Sequence, residues 1–115
     1  MSGTSSNLCI SSKKVEGTNV YNPNGDKLGS IEDVMIDKRS GHVRYAALEF
    51  GGFLGMGTDR YPLPWSMLTY DTNLDGYVVP IAKAQLDNAP HYPQGEYPAY
   101  SDDYGRKVND YYGVL

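Results

Sequence analysis

Turn signals recur at short intervals along the first eighty residues, and the apolar runs between them are too short to be buried helices. The breaks are NPNGD at 22–26, DKRSG at 37–41, the glycine stretch FGGFLGMG at 50–57, and DTNLDG at 71–76. Short runs rich in β-branched and aromatic residues, punctuated in this way, specify an all-β chain. The expected strands are 18–21, 27–37, 42–51, 60–63, 67–70 and 77–81, about six in all, closing as a small β-barrel.

Two of these runs carry more information than the rest. In 27–37 the apolar residues Leu28, Ile31, Val34, Met35 and Ile36 also fit helical spacing, and Ser30 with Asp33 resembles a capping box. A strand is preferred, because β-branched residues dominate and Gly29 inside a helix would cost about 1 kcal/mol. The slip of phase around Ile31 then reads as a bulge, a device for bending strands around a barrel. The run 42–51 is apolar on both faces: Val43, Tyr45 and Ala47 alternate with Ala46, Leu48 and Phe50. One face lines the barrel, so the other needs a cover.

After the strands, AKAQLDNAP at 82–90 has good helix formers and ends at a proline, which predicts a short helix closing the barrel. The tail from His91 onward holds six of the eleven tyrosines and little aliphatic material. Ser101 can cap a helix, Asp102 and Asp103 suit its first turn, and Gly113 can end it. A proline-rich connector and an amphipathic helix at about 102–112 are expected, with Tyr104, Val108, Tyr111 and Tyr112 on one face. The division is therefore a disordered 1–7, a barrel over 8–91 and a tail over 92–115.

At 115 residues there is room for one domain. The formal net charge of −4 weighs against direct nucleic-acid binding, which relies on Lys and Arg. Cys9 is the only cysteine, so no intrachain disulfide and no CxxC pair exists. The first residues lack a basic leader and an apolar core, and no run approaches a membrane span, so a cytoplasmic location is expected.

The glycine stretch has the GxxxxG spacing of a phosphate loop between Gly52 and Gly57. Thr58 and Asp59 follow, however, where a lysine and a hydroxyl are needed, and a strand follows instead of a helix N-terminus. DTNLDG matches the first half of a calcium loop through Asp71, Asn73, Asp75 and Gly76, but Ala82 stands at the twelfth position, which requires a glutamate. NPNGD fails as a calcium loop in the same way, with Lys27 where the loop glycine belongs. It and DTNLDG read better as β-turns, with Gly25 and Gly76 expected at positive φ, and the glycine stretch reads as a backbone corner. His42 and His91 are far apart in sequence and unpaired with Cys9. The carboxylates Glu32, Asp33 and Asp37 read as a solvated strand face, with Glu32–Arg44 as a cross-strand ion pair. No triad, metal cluster or paired acid emerges, so neither catalysis, a metal nor a cofactor is expected.

Four motifs then occur in order: YNPNGDKLGSIEDVMID, GHVRYAALEFGGFLGMG, YPLPWSML and YVVPIAKAQLDNAP. Together they resemble the PRC-barrel family, whose barrel forms the cytoplasmic part of the photosynthetic reaction-centre H subunit and the C-terminal domain of the ribosome maturation factor. By this resemblance Gly25 and Gly29 bracket the first hairpin, Gly51 and Gly52 open the glycine turn, and Pro64 with Trp65 forms a PW element. The H subunit's membrane helix and the maturation factor's preceding domain have no counterpart here, so their quinone-linked and ribosomal roles are not carried over residue by residue. The resemblance implies a non-catalytic adaptor that binds a protein partner. The small barrel, the double-faced 42–51 run, the apolar loop and the tyrosine-rich tail further predict that it self-associates as a homodimer. A factor acting through a ribosomal protein, or an accessory of photosynthetic electron transfer, are the alternatives. Gly51, Gly52, Gly55 and Gly57 reverse the chain at a barrel corner. Phe53, Leu54 and Met56 either plug the barrel end or join Tyr104, Val108, Tyr111 and Tyr112 as an interaction surface. Trp65 is expected to be largely buried at the barrel wall.

Overall fold

The computed structural model describes residues 9–50 and 59–114. The stretch 51–58, with Phe53, Leu54, Met56, Gly51, Gly52, Gly55 and Gly57, lies outside the described residues, as do residues 1–8. The strands are β1 (Asn19–Tyr21), β2 (Lys27–Ile36), β3 (Val43–Phe50), β4 (Asp59–Pro64), β5 (Thr69–Asp71), β6 (Gly76–Val78) and β7 (Tyr92–Pro93). They form one sheet in the order β5-β6-β1-β2-β3-β4-β7, antiparallel throughout except for β1 beside β6.

This sheet is rolled, and the aromatic contacts show it. β4 and β6 lie four places apart in the strand order, which would separate them by about 19 Å in a flat sheet. Yet the ring of Trp65, directly after β4, lies 5.5 Å from that of Tyr77 on β6. The concave side encloses one core made of Val20, Leu28, Ile31, Ala46, Leu48, Tyr61, Leu63, Tyr77 and Val79. Full burial of a Leu or Ile contributes about 1.5–3 kcal/mol each. The family-type reading of a small β-barrel with a following helix therefore holds, with seven described strands instead of six.

β2 carries irregularities of the kind that bend a strand. Its pairing with β3 slips between Ile31 and Asp33 and again between Met35 and Ile36, so the phase slip read from sequence is a bulge. Gly29 sits where β2 crosses close to β3: a Cβ there would lie 2.1 Å from the Glu49 carbonyl oxygen. Only glycine permits that approach.

Several local expectations change. The closing helix is a 3-10 helix over Lys83–Asn88, whose Leu86 is buried in the core. Met67 belongs to a 3-10 turn, Trp65–Met67, and not to a strand. Trp65 is half-buried, not enclosed. In the 71–76 turn the positive φ falls on Asp75, at 50°. Gly76 is needed for space instead, since a Cβ would come within 2.6 Å of the Asn19 carbonyl oxygen in the neighbouring β1. A single helical turn, α1 (Ser12–Val15), has no sequence periodicity to announce it; Ser11 caps it and Val15 is buried in the core.

The C-terminal helix α2 (Asp102–Tyr112) occupies the stretch expected. The Ser101 hydroxyl accepts from the Tyr104 N–H at 3.2 Å, and Gly113 ends the helix at φ 70°.

Candidate protein-binding surface

Alternation along β3 and β4 builds a second buried layer on the outside of the barrel. Ala46 and Leu48 of β3, with Tyr61 and Leu63 of β4, point into the core. Tyr45, Ala47 and Glu49, with Arg60, Pro62 and Pro64, take the opposite face. Because proline cannot donate to a neighbouring strand, Pro62 and Pro64 must present their nitrogens away from β3, which removes two donors from the outer edge of β4.

Here α2 supplies the cover that β3 requires. It packs against β4, with Val108 fully buried and Gly105 buried beside Tyr45. A Cβ on Gly105 would lie 2.7 Å from the Tyr45 hydroxyl, the far end of a side chain, so glycine leaves room for Tyr45 in the position it takes. Tyr45, Tyr92, Tyr100 and Tyr104 pack around this contact, at ring separations of 5.7 Å for Tyr45–Tyr100 and 5.1 Å for Tyr100–Tyr104. The Tyr92 and Tyr100 hydroxyls share a hydrogen bond of 3.0 Å. At the far end Tyr111 donates to the Gln85 carbonyl, and Tyr112 packs against the core. The face predicted from sequence, Tyr104, Val108, Tyr111 and Tyr112, is thus turned onto the chain's own barrel.

Not every polar group in this layer is satisfied. The hydroxyls of Tyr104 and Tyr112 are buried and find no hydrogen-bond partner. Each such group costs about 1–3 kcal/mol. Burial pushes the Tyr104 hydroxyl up to about 12 and raises those of Tyr100 and Tyr112 as well.

Beside the tyrosines lies a buried arginine that sequence reasoning did not single out. Arg60 is 6% exposed, with Glu32 at 3.5 Å and Glu49 at 3.7 Å. Glu49 is its direct partner across the β3–β4 ladder. Glu32 is the residue skipped by the β2 bulge, which turns it toward Arg60 two strands away. The expected Glu32–Arg44 pair does not form; Arg44 meets Asp37 instead, at 3.7 Å. The Asp37 carboxylate is held below its usual range chiefly by the backbone N–H groups of Ser40 and Arg39.

The opposite edge of the sheet is formed by β5. Among the described residues β5 bonds to β6 on one side only. Tyr70 on that edge is 45% exposed, and it lines two shallow grooves: one shared with Ile10, Lys14 and Tyr77, the other with Met67, Val78, Pro80 and Val114. Leu74, in the turn that follows, is exposed too.

A rolled sheet with a core on one side and an accessory helix on the other defines a small β-barrel domain. A family model described as PRC-barrel domain matches residues 10–86, and the chain belongs to the PRC-barrel family. Such membership points to a protein-interaction, adaptor-type domain. No curated protein matches the chain. Gly25, Gly29, Pro64 and Trp65, the glycines and PW element named by resemblance, fall within the matched span, whereas α2 lies beyond it. Among the described residues no helix is long and apolar enough to cross a membrane.

Proposed function

We propose that this chain is a non-catalytic adaptor which binds a protein partner and self-associates as a homodimer, with the β5 edge as its contact. The observation that carries this reading is the coincidence of a strand edge unpaired among the described residues with the exposed apolar side chains Tyr70, Leu74 and Ile10. An edge strand offers free N–H and C=O groups to a second chain, and proteins ordinarily blunt such edges. Two copies meeting edge to edge about a two-fold axis would place the same patch on each side, as a closed dimer requires. The Tyr70 ring rests edge-on against Tyr77 at 5.4 Å, a contact that reduces the freedom it would lose on binding.

The test is light scattering on the full chain and on a Tyr70→Asp/Leu74→Ser variant across the micromolar range. The proposal requires a dimer in the first and a monomer in the second. A monomer in both would refute it, as would an unaffected dimer.

A further inference from the structure

The hairpin that joins β2 to β3 concentrates positive charge on an otherwise acidic chain. We propose that this hairpin is a docking arm for an acidic segment of a protein partner, which lays an apolar side chain on Ile36 and its carboxylates against Lys38, Arg39 and Arg44. The proposal rests on the reading of the chain as a partner-binding adaptor, but not on the β5 contact.

Four observations carry it. First, the hairpin runs on past its neighbours as a two-stranded arm. Among the described residues β2 pairs with β3 alone beyond Ile31, and β3 has no β4 partner before Tyr45. Second, the arm is basic: Lys38, Arg39 and Arg44 stand with one carboxylate, Asp37, while the chain as a whole carries −4. That carboxylate is engaged within the turn, accepting from the N–H groups of Arg39 and Ser40 at 2.8 and 3.0 Å and meeting Arg44 at 3.7 Å. Among the described residues Lys38 and Arg39 have no ion-pair partner. Third, an apolar foothold lies beside the charges. Ile36, at the end of β2, is 54% exposed, unusual for a residue type that is mostly buried. It lines an open groove of about 320 Å³ with Met35, Arg44, Tyr45, Tyr100 and Arg106. Fourth, the turn is set before contact. The Asp37 N–H donates to the His42 carbonyl and the Gly41 N–H to the Asp37 carbonyl, both at 2.8 Å, with Gly41 at φ 76°. A backbone so fixed presents its charges without an ordering cost of its own.

Charge selects the occupant. An anionic membrane is held by clusters of about 4–8 cations, and a duplex by many phosphate contacts. The arm offers fewer, and the acidic remainder of the chain repels any extended polyanion. A peptide with a few carboxylates around one aliphatic side chain is short enough to meet the arm alone. On the other bank of the groove Asp103 is paired with Arg106, and Asp102 sits in the first turn of α2, where the helix dipole offsets its charge.

The test is fluorescence anisotropy on the full chain with a short labelled peptide of glutamates around a single leucine. The wild type should bind it in the micromolar range and lose affinity as salt rises. Lys38→Glu/Arg39→Glu, at exposed turn positions, should weaken binding about tenfold or more. Ile36→Ser should weaken it at every salt concentration. The charge-reversed variant should instead take a peptide of lysines around a leucine, which also reports that it is folded. No binding by the wild type up to millimolar peptide would overturn the proposal. So would equal binding by the wild type and the reversed variant, or tighter binding of phosphatidylserine vesicles or duplex DNA than of the peptide. Light scattering on the same samples keeps the two proposals apart. A dimer that ignores the peptide refutes the docking arm alone, and a monomer that binds it refutes the β5 contact alone.

Discussion

Gly29→Ala isolates the structural feature on which the rolled sheet depends. The added methyl would begin 2.1 Å from the Glu49 carbonyl oxygen and 3.2 Å from its carbonyl carbon, with the Leu48 Cδ1 at 3.1 Å. The first two are backbone atoms, so no side-chain rotation relieves the clash. To reach even 3.0 Å, below which real contacts essentially do not occur, the strands must part by almost an ångström. Overpacking of this kind costs about 1–3 kcal/mol, and the immovable neighbour places it at the upper end. Disturbing one ladder hydrogen bond next to Ser30–Glu49 adds about 1 kcal/mol. The expected loss of about 3–4 kcal/mol is a large share of the 5–15 kcal/mol that hold a typical domain. It should lower the melting temperature by roughly 10–20 °C. Gly25→Asn is the control, because Gly25 has φ 88° with nothing within 4 Å, and asparagine tolerates that conformation at a cost of about 1 kcal/mol or less. Thermal melts followed by circular dichroism compare the three chains. A Gly29→Ala melt within about 2 °C of wild type, or one no lower than the control, would mean that β2 and β3 do not approach as described.

Glu32→Gln and Glu49→Gln should each cost under about 1 kcal/mol, since either remaining carboxylate still faces Arg60 and both are partly solvated. The double variant should lose more than the sum of the singles in urea denaturation; strict additivity would show that the two do not share the guanidinium. Tyr100, Tyr104 and Tyr112 are protonated more tightly when folded than unfolded. Their contribution to stability is complete below the unfolded value near 10 and falls as pH rises through the folded value, about 12 for Tyr104. Urea midpoints should therefore drop above about pH 10, while ultraviolet absorbance shows a late-titrating fraction of the eleven tyrosines; a flat stability profile to pH 12 would contradict this burial. Trp65→Ala should cost about 2 kcal/mol, less than the 3–5 of an enclosed aromatic, because the ring is half-buried against Tyr77. A loss of the full amount by urea denaturation would place it inside the core.

What the sequence revealed depended on whether a residue's role was local. The NPNGD turn, the Ser101 and Gly113 caps and the alternation of β3 are written in adjacent residues, and each was legible. The slip at Ile31 was legible as a bulge, but its consequence was not. Turning Glu32 toward Arg60 depends on the register of three strands, so the nearer-looking Arg44 seemed the better partner. Gly76 illustrates the same limit: in sequence it marks a turn needing positive φ, whereas its reason is the passage of β1 beside it. β7 has two residues and no pattern to detect. The double-faced β3 and the amphipathic tail each announced a need for burial. That they satisfy each other within one chain, through Gly105 and Tyr45, is a matter of three-dimensional fit that composition and periodicity do not encode.

The barrel keeps its tail for itself, and in the proposed dimer it offers β5 to a second copy. Isotope-filtered nuclear Overhauser spectroscopy on an equal mixture of carbon-13-labelled and unlabelled full chains addresses both halves at once. Intermolecular contacts are expected from Tyr70 and Leu74, while the Val108 methyls contact the barrel only within one chain. Intermolecular contacts from Val108, or none from the β5 edge in a mixture shown to be dimeric, would contradict this arrangement.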